Sequence, residues 1–141
     1  MTNHQIQLVQ HSFSLVASYP AEAVGDLFYS RLFIIAPDVR GLFHKTTTPE
    51  QSRKLVTMLA SIVGQLAALE TILDDVAKLA KRHVQYGVKE QHYTKVGEAL
   101  LWTLEQGLGD AWTTDVKEAW VSCYTLLTDA MLTATRPATV V

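Results

Sequence analysis

One cysteine, Cys123, is all the chain contains, so no disulfide can form within it and a reducing compartment suits it. Charge is also scarce: 18% of the residues are Asp, Glu, Lys or Arg, and the net charge is -2. That balance offers no basic surface for nucleic acid or for an anionic membrane. No apolar run reaches the ~18 residues that a membrane-spanning helix needs. Residues Met1 to Val9 show no basic stretch leading into an apolar core, so no secretory signal is visible and a cytoplasmic location is expected. Glycine and proline number seven and four, and no Asn-Gly or Asp-Gly pair sits between alternating apolar residues, which leaves β-hairpins without their usual signal. A glycine-rich phosphate loop is missing, as is any Cys or His pair at zinc spacing.

Apolar residues make up 48% of the 141 positions, enough for one hydrophobic core, and they recur at helical spacing almost throughout. Gln5 to Ala17 reads as a first amphipathic helix, with Ile6, Val9, Phe13 and Val16 on one face. Ser18 is expected to cap a second helix that runs to about Ala36, with Pro20 tolerated in its opening turn. Pro37 stops it, Asp38 to Phe43 forms a short helical turn, and His44 to Thr47 a loop. Thr48-Pro49-Glu50-Gln51 is a helix start with a capping threonine, a proline at the first position and a glutamine three residues on. A short helix comes next over Leu73 to His83, with a break at Gly87. Two long helices, roughly Gln91 to Leu108 and Thr113 to Ala134, are separated by Gly107, Gly109 and Asp110. The expectation is an all-α domain over residues 1–134 with seven or eight helices, and a loose tail over 135–141.

Few residues can carry chemistry. Cys123 lies in mid-helix between apolar neighbours and reads as an inert buried side chain. Of the five histidines, His4, His11 and His92 are expected to face solvent, and His44 falls in a loop. His83 ends a short apolar helix, with Leu79 one turn earlier. Its Nδ1–H could donate to a backbone carbonyl of that turn, which would leave Nε2 as a metal ligand. On spacing alone the plainer reading, a helix C-terminal histidine favoured by the dipole, has the advantage.

The string Leu79-Ala80-Lys81-Arg82-His83-Val84-Gln85-Tyr86-Gly87-Val88, followed by His92-Tyr93-Thr94-Lys95-Val96-Gly97-Glu98, resembles the proximal region of bacterial globins. It is most similar to the haem domain of flavohaemoglobins and their single-domain relatives. Phe28-Tyr29 with Arg31-Leu32-Phe33, then Pro37 and Phe43, resembles their second helix and the phenylalanine that wedges against haem. Gln51 to Leu55 resembles the start of the distal helix, and Ala119-Trp120 with Tyr124 the last one. The likeness keeps order and spacing over roughly residues 5 to 134. It implies a globin fold around haem b, with His83 as the proximal iron ligand and Phe43 packed on the porphyrin. Tyr29 and Gln51 would face the bound gas, and Leu55 would set the size of the pocket. Leu79, Val88 and Tyr93 would line the proximal side, and Arg53 and Lys54 would meet the propionates. Five of these have a plainer reading: a core aromatic for Phe43, a structural hydrogen bond for Tyr29, a capping box for Gln51, solvated charges for Arg53 and Lys54.

The resemblance also carries an expectation about function. A tyrosine and a glutamine beside the ligand favour dioxygen over carbon monoxide, because dioxygen becomes the better hydrogen-bond acceptor, and they imply slow release. The leading expectation is nitric oxide dioxygenation to nitrate, with electrons from a separate reductase, since the sequence ends at Val141 without the flavin and nicotinamide domains of flavohaemoglobins. The alternative is oxygen storage, scavenging or sensing without turnover. Flavohaemoglobins carry an acid on the last helix beside the proximal histidine. Thr133 to Thr135, where it would fall, contains none, which argues against peroxidase chemistry.

Overall fold

The structure, a computed structural model, describes residues 1–42, 49–85 and 90–135. Among these it shows no strand and six α-helices: α1 (Asn3–Val16), α2 (Ala21–Ile35), α3 (Pro49–Gly64), α4 (Leu73–Gln85), α5 (Glu90–Leu108) and α6 (Thr114–Thr135). Three tighter 3-10 segments, Pro37–Leu42, Leu66–Thr71 and Gly109–Ala111, complete the order. The expected seven or eight helices thus become six, because short segments such as Pro37–Leu42 and Leu66–Thr71 wind as 3-10 turns too brief for a full α-helix. Thr135 closes α6, and of the tail expected over 135–141, residues 136–141 lie outside the described residues.

Local chemistry sets the helix ends. Thr2 and Gln5 form a reciprocal capping box at α1, with Gln5 N–H donating to Thr2 Oγ1 at 3.1 Å and Thr2 N–H to Gln5 Oε1 at 3.0 Å. Ser18 does not cap α2 as expected. Its hydroxyl donates back to the Leu15 carbonyl at 2.6 Å, and α2 starts behind Pro20 with no side-chain cap. Gly107, expected between the last two helices, lies inside α5, and Gly109 makes the turn at φ 53°, a conformation that costs glycine little.

α2 crosses α5 and α3, while α1 packs on α6. These helices enclose one large apolar cluster that includes Val9, Phe13, Phe28, Leu32, Leu104 and Trp120. Trp120 satisfies its buried indole N–H by donating to Ser12 Oγ at 2.9 Å. α4 stands apart, held on α6 by a smaller cluster of Ile72, Val76, Ala80 and Met131. Ile62, near the end of α3, packs against both clusters. Among the described residues, α3 packs on α2 and α1, α4 packs on α6, and no comparable packing joins α3 to α4.

Candidate functional site

α4 carries the imidazole. Its polar and apolar faces are the most sharply separated of any helix in the fold, and that separation turns Val76 and Ala80 onto α6. His83, in the last turn, is half-buried, with its Nδ1 2.9 Å from the carbonyl oxygen of Leu79. A carbonyl only accepts, so Nδ1 carries the proton and Nε2 keeps its lone pair. Burial holds the His83 pKa below the usual histidine range, partly opposed by the Leu79 bond and helped by the charge of Arg82. The ring is therefore a neutral imidazole with an oriented nitrogen, the form a metal requires. Leu79 is half-buried against the smaller cluster.

α2 carries Tyr29, half-buried. Its ring meets Phe28 edge-on at 5.1 Å and stacks on Phe33 at 6.2 Å. Burial raises its pKa, so the phenol stays a proton donor at neutral pH. In the first turn of α3, Gln51 is half-buried and its Oε1 is shielded from solvent. A close approach relates the two helices. A Cβ on Gly25 would overlap Ser52 Oγ and Cβ and lie 2.9 Å from Ser52 Cα. Gly25 is one turn before Tyr29 and Ser52 is next to Gln51, so this contact sets the helix separation from which both polar side chains project. The sequence carried a signal for it, a glycine inside an apolar helix, which periodicity alone does not register.

Leu55, further along α3, is half-buried against the main core. Arg53 and Lys54 are solvent-exposed and engaged, Arg53 with Glu22 at 3.2 Å and Lys54 with Glu50 at 3.5 Å. Tyr93 on α5 packs against the α4–α6 cluster, and its backbone carbonyl accepts a 2.6 Å hydrogen bond from the Tyr124 hydroxyl. The Tyr124 ring lies where a side chain on Gly97 would be. Phe43 and Val88, expected at the cofactor, lie outside the described residues, as do His44 and the capping Thr48. His92 corrects an expectation. It is not solvent-facing but 7% exposed, with Nε2 3.1 Å from Asp38 Oδ2. Position alone hid this, because a histidine beside exposed Gln91 in an opening turn reads as polar surface. His4 and His11 are exposed as expected. Cys123 is buried, and burial pushes its thiol up to about 12, so it is inert as expected.

The fold thus carries an oriented, neutral imidazole on α4 and a half-buried tyrosine and glutamine on α2 and α3, side chains of the kinds that can serve a metal-bearing prosthetic group and its ligand. Comparison with known proteins agrees. Residues 26–131 match the family model described as Globin. A neuroglobin of Tetraodon nigroviridis is 32% identical over 120 residues, 76% of each chain. A flavohemoprotein of Bacillus subtilis is 29% identical over 136 residues, which are 94% of this chain and 33% of that one. A bacterial globin structure from Campylobacter jejuni superposes with a TM-score of 0.81 at 26% identity, covering 94% of this chain and 95% of that chain. The chain belongs to the globin family, and haem-based gas binding comes with that membership. No helix among the described residues is long and apolar enough to cross a membrane.

Proposed function

We propose that this globin holds haem b through His83 Nε2 and binds dioxygen tightly, with competence to convert nitric oxide to nitrate. When bound, haem supplies an iron that holds a diatomic gas and, with dioxygen held, can oxidise nitric oxide. The observation that carries the reading is the 2.9 Å bond from His83 Nδ1–H to the Leu79 carbonyl. It fixes the tautomer and the ring orientation that would let Nε2 hold a metal, and burial keeps the ring neutral. The rest of the donor set fits. Leu55 and Leu79 offer apolar surface, and Arg53 and Lys54 are exposed cations for the propionates. Their partners Glu22 and Glu50 are more than half exposed, and ion pairs of that kind contribute about 0–1 kcal/mol, so a propionate can displace them. Phe43 and Val88 complete the proposed lining on the strength of the sequence likeness, with Tyr93 on the proximal side.

Tyr29 and Gln51 give the pocket its preference. A protonated phenol and a side-chain amide both donate to a ligand whose outer atom carries negative charge, as dioxygen's does, and carbon monoxide gains much less from them. One such bond contributes about 1–3 kcal/mol, or roughly 10-fold in release rate for each 1.4 kcal/mol. Similarity to flavohemoproteins supports a reductase as electron donor, although the chain spans about a third of their length. The neuroglobin likeness, which spans 76% of both chains, supports a second reading: gas storage or scavenging without turnover. Sustained nitric oxide consumption with NADH and a flavin reductase separates the two. Continued turnover supports dioxygenation; a single oxidation followed by arrest leaves storage or scavenging. Tyr29→Phe tests the pocket directly. Dioxygen release should speed by about 10-fold or more while carbon monoxide release changes far less, and equal effects on both gases would show that Tyr29 acts by packing.

A further inference from the structure

His92 is the third residue of α5, and Asp38 the second of the Pro37–Leu42 turn. Their 3.1 Å bond spans 54 residues of sequence. A carboxylate only accepts, so His92 Nε2 carries the donated proton. The histidine is buried and the aspartate exposed, its side chain 67% accessible. The turn it anchors continues directly from α2, the helix of Tyr29. Buried Ala36 and Val39 seat that turn in the core, and the Arg40 guanidinium lies 5.2 Å from the centre of the Phe33 ring. At the other end of the bond, Tyr93 is the next residue after His92. The Tyr93 carbonyl is bound by Tyr124 of α6, and α6 is the helix on which the His83 helix packs. The bond thus joins the turn that follows the Tyr29 helix to the start of α5, beside the Tyr93 ring that packs on the α4–α6 cluster. It adds to the direct packing of α2 on α5.

We propose that the His92–Asp38 bond is a clasp between the Tyr29 side and the His83 side of the haem site, and that it slows haem loss. The proposal rests on the reading of this chain as a haem protein. His92 and Asp38 act as positioning residues: neither touches the prosthetic group, and both hold the elements that do. In the proposed site haem would leave by separation of the two sides, and a bond between them would add to the barrier for escape. Asp38 is the position to change, since its exposed side chain can be removed without opening a cavity, whereas truncating His92 would leave one.

The test is the transfer of ferric haem from the intact protein to an excess of apo-globin scavenger, with the urea midpoint of each haem-free variant measured alongside. Asp38→Ala should release haem about 3- to 10-fold faster than wild type, the effect of losing one partly exposed hydrogen bond to a charged group. Asp38→Asn keeps an acceptor oxygen for His92 and should stay within about 2-fold of wild type. Asp38→Ala should lower the urea midpoint of the haem-free chain only slightly, by less free energy than its faster haem release represents. Unaltered haem release in Asp38→Ala would overturn the clasp alone. So would an Asn variant as fast as the Ala variant, or acceleration matched by equal destabilisation of the haem-free chain. A wild-type chain that takes up no haem would overturn the haem reading and the clasp with it.

Discussion

At His83 and Leu79, four residues of spacing carried a hydrogen bond that the structure contains, because i and i+4 lie on one face of a helix. The same kind of inference failed at Ser18 and His92. A serine before a proline could have capped α2, but its hydroxyl found the nearer Leu15 carbonyl. The burial of His92 depends on Asp38, 54 residues away, and no local pattern encodes such a partner. Cys123, 1% exposed and with its thiol pushed up to about 12, should resist an aromatic disulfide reagent in the native protein and react once the chain is unfolded. Rapid native labelling would show that α6 opens readily. The Asp38 carboxyl is held below the ordinary carboxylate range, chiefly by the hydrogen bond from His92. A carboxyl whose folded pKa is depressed stabilises the fold fully above its unfolded value, and that contribution disappears as pH falls through the lower folded value. The stability gap between wild type and Asp38→Ala should therefore be present at neutral pH and close as pH drops below about 4. A gap that persisted unchanged in acid would mean that Asp38 contributes through something other than its charge.

Among the elements, α2 and α3 matter most to the site, because their separation sets where Tyr29 and Gln51 project. Gly25 against Ser52 is the contact that permits it. Gly25→Ala would gain about 1 kcal/mol of helix propensity and lose more, since overpacking a close helix crossing costs about 1–3 kcal/mol and Ser52 Cα cannot move without its backbone. The expected result is net destabilisation, partly recovered when Ser52→Gly is added, read from denaturant midpoints. A stabilised Gly25→Ala would show that the crossing is looser than its distances imply. Helix order, helix boundaries to within a few residues, and the break after Ala36 were legible from periodicity and from Pro37. The count of helices was not, because a 3-10 turn and a short α-helix share the same apolar spacing until hydrogen bonds distinguish them.

On the scale of the whole molecule, the core is unequal. The main cluster ties α1, α2, α3, α5 and α6 together, while α4 depends on Ile72, Val76, Ala80 and Met131. The helix that presents His83 is therefore the least supported one among the described residues. In the haem-free protein, amide exchange should be faster in α4 than in α5 or α6, and haem should slow it if His83 holds the iron as proposed, because the group would add contacts that α3 does not supply. Uniform protection without haem would contradict this division. The globin fold was legible in the sequence because the family pattern preserves order and spacing across the chain, and the same pattern is what puts His83 forward as the proposed iron ligand. The pairings of Gly25 with Ser52 and His92 with Asp38 were not legible, since they are tertiary contacts between residues of ordinary type.

The most direct measurement is the ultraviolet–visible spectrum of the protein produced with haem supply, in ferric, dithionite-reduced, dioxygen-bound and carbon monoxide-bound forms, beside His83→Ala. A sharp Soret band, five-coordinate ferrous iron and a persistent dioxygen form in wild type are expected, with haem lost or weakly held in the variant. A folded, helical wild-type chain without colour, or a His83→Ala variant with an unchanged ferrous spectrum, would contradict the assignment of His83 as the haem ligand.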